Sequence, residues 1–317
     1  MRRGARLAAV GVTLTGALLL AACGGQQTGS SGSSQASGQV RADGSSTVAP
    51  LTSAAAELFR SENSNVNTTV ATSGTGGGFE QFCSGNTDIS NASRAIKDEE
   101  KTRCQSAGIE FTELVVANDA LTVVANPDNN WANCLTVEQL KTMWSPESEG
   151  KVTNWNQVDP SFPDVPLALF GPGTDSGTFD YFTDEINGEE GASRTDYSAS
   201  EDDNVLVQGV EGARGATAYF GYTYFEENQG KLKAVQVDGG QGCVLPSAET
   251  VQNGTYVPLA RPLFIYVNKE SFKRPEVAEF VKFFARQIDQ IAEAAQFVQL
   301  NEEQKTKLKT AVDGLAA

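Results

Sequence analysis

The chain has 317 residues, 24 Lys and Arg against 40 Asp and Glu, five cysteines and no histidine. Without histidine there is no Ser-His-Asp or Cys-His nucleophile pair and no histidine-bearing zinc site. A formal charge of −16 argues against nucleic acid, whose phosphates are gripped by clustered Lys and Arg, and against electrostatic adhesion to anionic membranes; the length allows about two domains.

Arg2, Arg3 and Arg6 precede an apolar, Ala- and Leu-rich run from Leu7 to Ala22, too short for a spanning helix and laid out as a secretory signal. Leu20-Ala21-Ala22-Cys23 is similar to the lipobox of bacterial lipoproteins. Cleavage before a diacylated Cys23 is therefore expected, and two acyl chains suffice for stable anchoring on the extracytoplasmic side of the cell membrane. Loss of residues 1–22 takes the three arginines away and moves the charge from −16 to about −19. Residues 24–39 hold only Gly, Ser, Gln, Thr and Ala, so 23–39 reads as a lipidated cysteine with a flexible tether, spanning on the order of 22 Å.

In the body, Leu51, Ala54, Ala55, Leu58 and Phe59 recur at helical spacing, with Pro50 suited to a first turn. Val66, Thr68 and Val70 alternate as a strand. Leu114–Val116, Leu121–Val124, Leu167–Phe170, Ala218–Tyr222 and Leu263–Val267 are short apolar runs that fit buried strands. Trp131, Trp144 and Trp155 are expected to pack the middle of the molecule. Ser200 with Asp203 resembles a capping box ahead of Val205, Leu206 and Val207. Val277, Phe280, Val281, Phe284, Ile288 and Ile291 predict one long striped helix, and Leu308 and Val312 face inward on a last one.

Alternation of strands and helices predicts an α/β fold. Chain crossings are expected around Asn118–Asn126 and Tyr256–Pro262. Residues 40–120 with 260–317 would form one lobe and 121–259 the other, leaving a ligand cleft between two α/β lobes. Cys83, Cys104, Cys134 and Cys243 allow three pairings; Cys83–Cys104 with Cys134–Cys243 is favoured because each then lies within one lobe. A four-cysteine metal site lacks any CxxC spacing.

Four polar segments stand out: Asp43-Gly44-Ser45-Ser46-Thr47, Thr72 to Gly78, Asn91-Ala92-Ser93-Arg94, and Gly171 to Thr178. Each follows a strand or precedes a helix. The first turn of a helix has unpaired N–H groups and the positive end of its dipole. Glycines let that backbone approach an anion, and Ser and Thr hydroxyls add rotatable donors. Three such turns with one arginine make a cage for a tetrahedral oxyanion. Taken singly, each Ser or Thr is as well explained as an N-cap, and Arg94 as one half of a surface ion pair with an acid such as Asp98. Neither a P-loop nor a GxSxG elbow is present, and no motif calls for a cofactor or metal.

DGSSTVAP, SGTGGGFEQF, SNASRAI and GPGTDSGTFDYF, in this order, resemble the phosphate-binding lipoproteins of the PstS type that serve bacterial phosphate ABC importers. The resemblance covers essentially the whole mature body. It implies a type II periplasmic-binding-protein fold, a bound inorganic phosphate, ABC permease subunits as partner, a monomer and no catalysis. By the same resemblance Ser46 and Thr47, then Thr75 and Gly76, then Ser176, Gly177 and Thr178 carry the ligand. Two positions depart from the family: Arg94 stands where its best-known members have aspartate, and Pro172 where they have arginine. Arg94 is then the expected cation and Asp175 the expected carboxylate, with Asp43 as a second candidate.

Near neutral pH phosphate carries a proton and sulfate does not. One fixed carboxylate accepts that O–H and faces sulfate with an unpaired charge, enough for ~10³-fold discrimination. The alternatives are a site for sulfate or molybdate, a secreted phosphatase with Ser176 or Thr178 as nucleophile, or a surface interaction protein.

Overall fold

A computed structural model describes residues 36–174, 176–200 and 202–315. The signal segment 1–22, Cys23, the tether up to residue 35 and Asp175 lie outside the described residues. Residues 36–39, counted with the tether on composition, belong to the folded body: Ala36 is buried and the first strand begins at Gly38.

The first part of the chain alternates β1 (Gly38–Gly44), α1 (Ala49–Glu62), β2 (Val66–Val70), α2 (Gly74–Cys83), β3 (Ile89–Ala92) and α3 (Asp98–Ser106). β1 pairs in parallel with both β2 and β3. α1 forms where expected, burying Leu51, Ala55 and Phe59 with Pro50 in its first turn. The glycine run 74–78 is not a free loop as its composition suggests; it forms the first turns of α2.

β4 (Phe111–Ala125) is a single 15-residue strand, where the sequence predicts two short ones around a crossing. Its interior polar residues are satisfied from distant elements. Asn118 bonds to Gln304 and to the Gln299 carbonyl, and Asp119 to Arg261. The strand β12 (Ala260–Asn268) pairs antiparallel with Phe111–Ala120 of β4, with a register shift between Leu263 and Phe264. From Leu121 onward β4 pairs instead with β8 (Ala216–Gly221) and β9 (Lys233–Ala234). One curled path of nine strands results, ordered β2-β1-β3-β12-β4-β8 and then β6 (Ala168–Gly171) and β7 (Ser198–Ala199), with β9 on the side of β4. A separate three-stranded sheet joins β5 (Cys134–Thr136), β10 (Gln236–Asp238) and β11 (Cys243–Val244).

The remaining helices are α4 (Val137–Trp144), α5 (Trp155–Val158), α6 (Gly177–Phe182), α7 (Asp203–Glu211), α8 (Tyr222–Glu227), α9 (Ala248–Gln252), α10 (Lys269–Phe272), α11 (Pro275–Arg286), α12 (Ile288–Ala294) and α13 (Glu302–Leu315). The predicted long C-terminal helix is two. α11 ends at Gln287, whose backbone sits at φ −103°, ψ 20°, and the apolar stripe resumes on α12 with Ile288 and Ile291. α7 is capped by Asp202, whose carboxylate accepts from the Asn204 N–H; this corrects the Ser200–Asp203 capping box, since Ser200 Oγ accepts the N–H of Asp202, the cap itself, rather than one inside the helix.

Buried apolar residues gather in three clusters. One draws on Ala120–Leu259 plus Val298 and includes Trp144 and Trp155, with Trp131 packed against it. The second lies under α1 and α11 to α13, and the third between α2, α3 and β12. Each side chain fully buried in such a cluster contributes about 1.5–3 kcal/mol. Val298 joins the first cluster although its chain neighbours serve the second: the segment from Gln296 to Leu300 bridges to Asn118 of β4 and receives hydrogen bonds from Thr223 and Gln252.

Both disulfides, Cys83–Cys104 and Cys134–Cys243, pair as favoured from the sequence. Buried Arg194 ties α4 to the loop beyond it, donating to the Met143 and Val152 carbonyls at 3.0 and 2.9 Å and to the Asp196 carboxylate. That hydrogen bond holds the Asp196 carboxyl at about 2. A folded pKa below the unfolded value of about 3.9 stabilises the fold above pH ~4, and the contribution is lost as pH falls toward 2. Arg194→Met is expected to lower the free energy of unfolding by about 2 kcal/mol, chiefly through the buried Met143 and Val152 carbonyls left without a donor, and to flatten the acid limb of stability between pH 4 and 2. Urea unfolding of both proteins across that range checks it.

Candidate anion-binding site

Three of the four polar segments emerge from the carboxyl ends of the adjacent parallel strands β2, β1 and β3, the edge at which α/β sheets present ligands. They are bound to one another by backbone contacts. The Asp43 carboxylate accepts the N–H of Gly44 at 2.7 Å and of Ser73 at 3.0 Å, tying the turn before α1 to the turn before α2. The Ser45 N–H donates to the Asn91 carbonyl at 2.9 Å, tying the first turn to β3. Gly44 has φ +136°, and a Cβ there would lie 2.1 Å from the Asn91 carbonyl oxygen. A Cβ on Gly78 would lie 2.4 Å from the Gly44 Cα. Only glycine permits backbones to meet so closely at these two positions.

The fourth segment comes from the carboxyl end of β6 and runs into α6. It meets the first directly: a Cβ on Gly177 would lie 2.8 Å from Thr47 Oγ1. Around this junction a cavity of about 760 Å³ is lined by Ser45, Ser46, Thr47, Thr75, Gly76, Arg94 and Gly177. Six of the sequence-predicted residues thus share one cavity: Ser46, Thr47, Thr75, Gly76, Arg94 and Gly177. Ser176 and Thr178 flank it. Ser176 Oγ caps α6 by accepting the Thr178 N–H at 3.2 Å, leaving its own hydroxyl proton to donate elsewhere. Thr178 lines a separate pocket of about 160 Å³ together with Asp119. Asp43 is absent from the cavity lining, because its carboxylate is spent on the two loop N–H groups.

Thr75 and Arg94 are both engaged within the protein. Thr75 Oγ1 lies 3.1 Å from Ser93 Oγ and accepts the Ser93 N–H. The Arg94 guanidinium makes a two-pronged pair with Glu100, at 2.9 Å from Nη1 and 2.8 Å from Nη2, and lies over the Phe79 ring. The partner is Glu100 on α3, not Asp98, which pairs with Lys101. Burial pushes the Glu100 carboxyl up, but the hydrogen bonds from Arg94 and from the Lys97 N–H outweigh it and leave the carboxyl below its ordinary value. The Arg94 guanidinium is correspondingly held more firmly protonated by that hydrogen bond.

Sequence reasoning missed several members of the lining. Ser45 and Ser93 lie within the predicted segments but were not singled out as ligands, and Lys97 lies just beyond one of them. Asp180, Asp184, Glu185 and Glu190 make one wall acidic, and Arg261 enters from β12. Burial raises the Asp180 and Glu185 carboxyls above their usual range, against the pull of Arg261. Arg261 had a faint signal in sequence, a cation beside Pro262 in a predicted crossing. Among the described residues, no group of three or more Cys, Asp or Glu is placed to hold a metal ion.

The model of a PBP superfamily domain matches residues 29–287. The chain belongs to the PBP superfamily. Relatives of this PBP chain include Protein SphX of Synechococcus elongatus, 51% identical over 262 residues that cover 82% of this chain and 77% of SphX. The phosphate-binding protein PstS of Staphylococcus saprophyticus is 40% identical over 308 residues, 96% of this chain and 93% of that protein. Among solved structures, a possible phosphate binding protein from Planctomyces limnophilus superposes with a TM-score of 0.85 at 46% identity, covering 89% of this chain and all of that one. The mixed α/β architecture and curled sheet are therefore those of a periplasmic-binding-protein fold, as the motifs imply.

Proposed function

We propose that this protein is the extracytoplasmic solute-binding component of a phosphate ABC importer. It takes up inorganic phosphate between two closing lobes and delivers it to the membrane permease, without catalysis. The relatives named for phosphate binding support the ligand class, and the meeting of Thr47 with Gly177 inside one cavity supports its placement. In this reading residues 40–120 with 260–317 are one lobe and 121–259 the other, joined by β4 and β12. Hydroxyls of Ser46, Thr47 and Thr75 and the Gly76 N–H reach the anion from the first lobe, with Arg94 behind them. Ser176, Gly177 and Thr178 reach it from the second, and Asp175 accepts the phosphate proton. The liganded form is stabilised by contacts that the open form cannot make. Cleavage after residue 22, diacylation of Cys23 and a polar tether would hold the monomeric protein at the cell membrane.

The acidic charge of the chain does not oppose this assignment. At physiological salt, charges beyond ~8 Å are largely screened, and the carboxylates that line the cavity are offset there by Arg94, Arg261 and oriented N–H groups. Titration calorimetry of the mature chain should give saturable one-to-one binding of phosphate, with sulfate and molybdate weaker by ~10³-fold. Equal or tighter binding of sulfate would reassign the ligand, and turnover of a chromogenic phosphate ester that disappears in Ser176→Ala would make the protein an enzyme.

A further inference from the structure

We propose that Arg261, on the strand β12 between β3 and β4 of the nine-stranded sheet, is the cation that contacts the bound anion, with Asp119 as the residue that positions it. The inference rests on the phosphate reading and deepens it.

The two guanidinium groups of the cavity differ in what they have left to offer. Arg94 has both terminal nitrogens directed at the Glu100 carboxylate, so an anion there competes with an existing two-pronged pair. Arg261 donates to protein through Nε alone among the described residues, to Asp119 Oδ2 at 3.2 Å. Among the described residues its two terminal amino groups have no protein acceptor, and the residue lines the cavity. A guanidinium held by Nε with its fork free presents two parallel donors, the arrangement suited to an oxyanion.

Its position is fixed by the fold. Arg261 and Asp119 are register partners on β12 and β4. The guanidinium carbon lies 3.5 Å from the centre of the Tyr181 ring, and Tyr181 is itself anchored by its hydroxyl to the Pro258 carbonyl. Arg261 is thus clamped between a strand of the first sheet region and helix α6, whose start carries Gly177. Its side chain is 19% exposed and that of Asp119 9%, so the pair sits in a partly dry environment where a charge is poorly screened. Pro262 offers no N–H, and the register shift at Leu263/Phe264 follows directly. Both features mark a strand end shaped to aim side chains rather than to extend the ladder. Within the pair the Arg261 guanidinium balances the Asp119 charge, so the pair presents its free fork to a cavity whose lining also carries Asp180, Asp184, Glu185 and Glu190.

Phosphate titrations of the wild type and of Arg261→Met, Arg94→Met, Asp119→Asn and the double variant Arg261→Met with Asp119→Asn test the assignment. Arg261→Met alone strands Asp119 as a buried charge, so the double variant, which removes both charges and is expected to keep the thermal midpoint of the wild type, carries the comparison. The double variant is expected to weaken phosphate binding at least about 30-fold, and Asp119→Asn, which loosens the guanidinium but keeps it, to weaken it by a smaller factor. Arg94→Met is expected to lose less than the double variant. Added methylguanidinium should restore part of the lost affinity in the double variant, a recovery that a purely structural role would not give. A wild type that binds phosphate together with a folded double variant of unchanged affinity overturns the role of Arg261 and leaves the phosphate reading standing. A wild type that binds none of phosphate, sulfate or molybdate overturns both.

Discussion

Gly177→Val should abolish measurable phosphate capture while leaving the fold in place. A Cβ at this position meets Thr47 Oγ1 at 2.8 Å, and the next nearest atoms lie at 3.8 Å. A methyl could be accommodated by turning the Thr47 side chain, but two further methyls occupy the space where the turns before α1 and α6 converge. The backbone of Gly177 has no positive φ, and it lies half-buried at the start of α6, so the cost to stability is on the order of 1 kcal/mol. Binding suffers differently. Wedging the turns apart removes the donors of one side from the reach of an anion held by the other, and each charge-assisted hydrogen bond contributes about 1.5–3 kcal/mol. Loss of two predicts a fall of ~10³-fold or more in affinity. Calorimetry and a thermal melt on the same sample check both halves. A variant that binds as the wild type does would place the anion away from this junction.

The second large effect is on stability. Removing the Cys134–Cys243 disulfide by paired alanine substitutions should lower the free energy of unfolding by about 4–5 kcal/mol, the loop-entropy value for a closed loop of this size. The residues are 109 apart in sequence and join β5 to β11, the outer strands of the three-stranded sheet. That sheet has few residues and little hydrogen bonding to fix its register. Cys83–Cys104 spans 21 residues, and its removal should cost about 3 kcal/mol by the same account. Denaturant midpoints of the two double variants should therefore rank in that order. Equal losses, or the reverse order, would show that local packing of Cys83 and Cys104 in their buried cluster outweighs the chain-entropy difference.

Much of the fold was legible because it is written in periodicity. The α1 stripe, the alternation in β2 and the inward positions Leu308 and Val312 each reflect a single buried face. What was not legible depends on partners far away in sequence. Asn118 and Asp119 look like a break in the apolar run of β4, yet Gln304, Gln299 and Arg261 satisfy them and the strand continues. Gln287 ends α11 although glutamine is a good helix former, so nothing local predicts the break. At the site, the hydroxyl- and glycine-rich turns could be found because helix starts have a local signature. Arg94 was found by its strand-end position, but its pairing with Glu100 was not, since the competing acids Asp98 and Glu99 are equally near in sequence. Arg261 lies 83 residues beyond Thr178, and only the pairing of β12 with β4 brings it to the cavity.

A crystal structure of the mature protein grown with saturating phosphate is the most direct test of the central claim, that one tetrahedral anion is held jointly from both sides of the cavity. The account predicts a single phosphate hydrogen-bonded to the Ser46–Thr47 turn on one side and to the Ser176–Thr178 turn on the other. A phosphate bound by only one of these turns, or a cavity without anion at saturation, would contradict it.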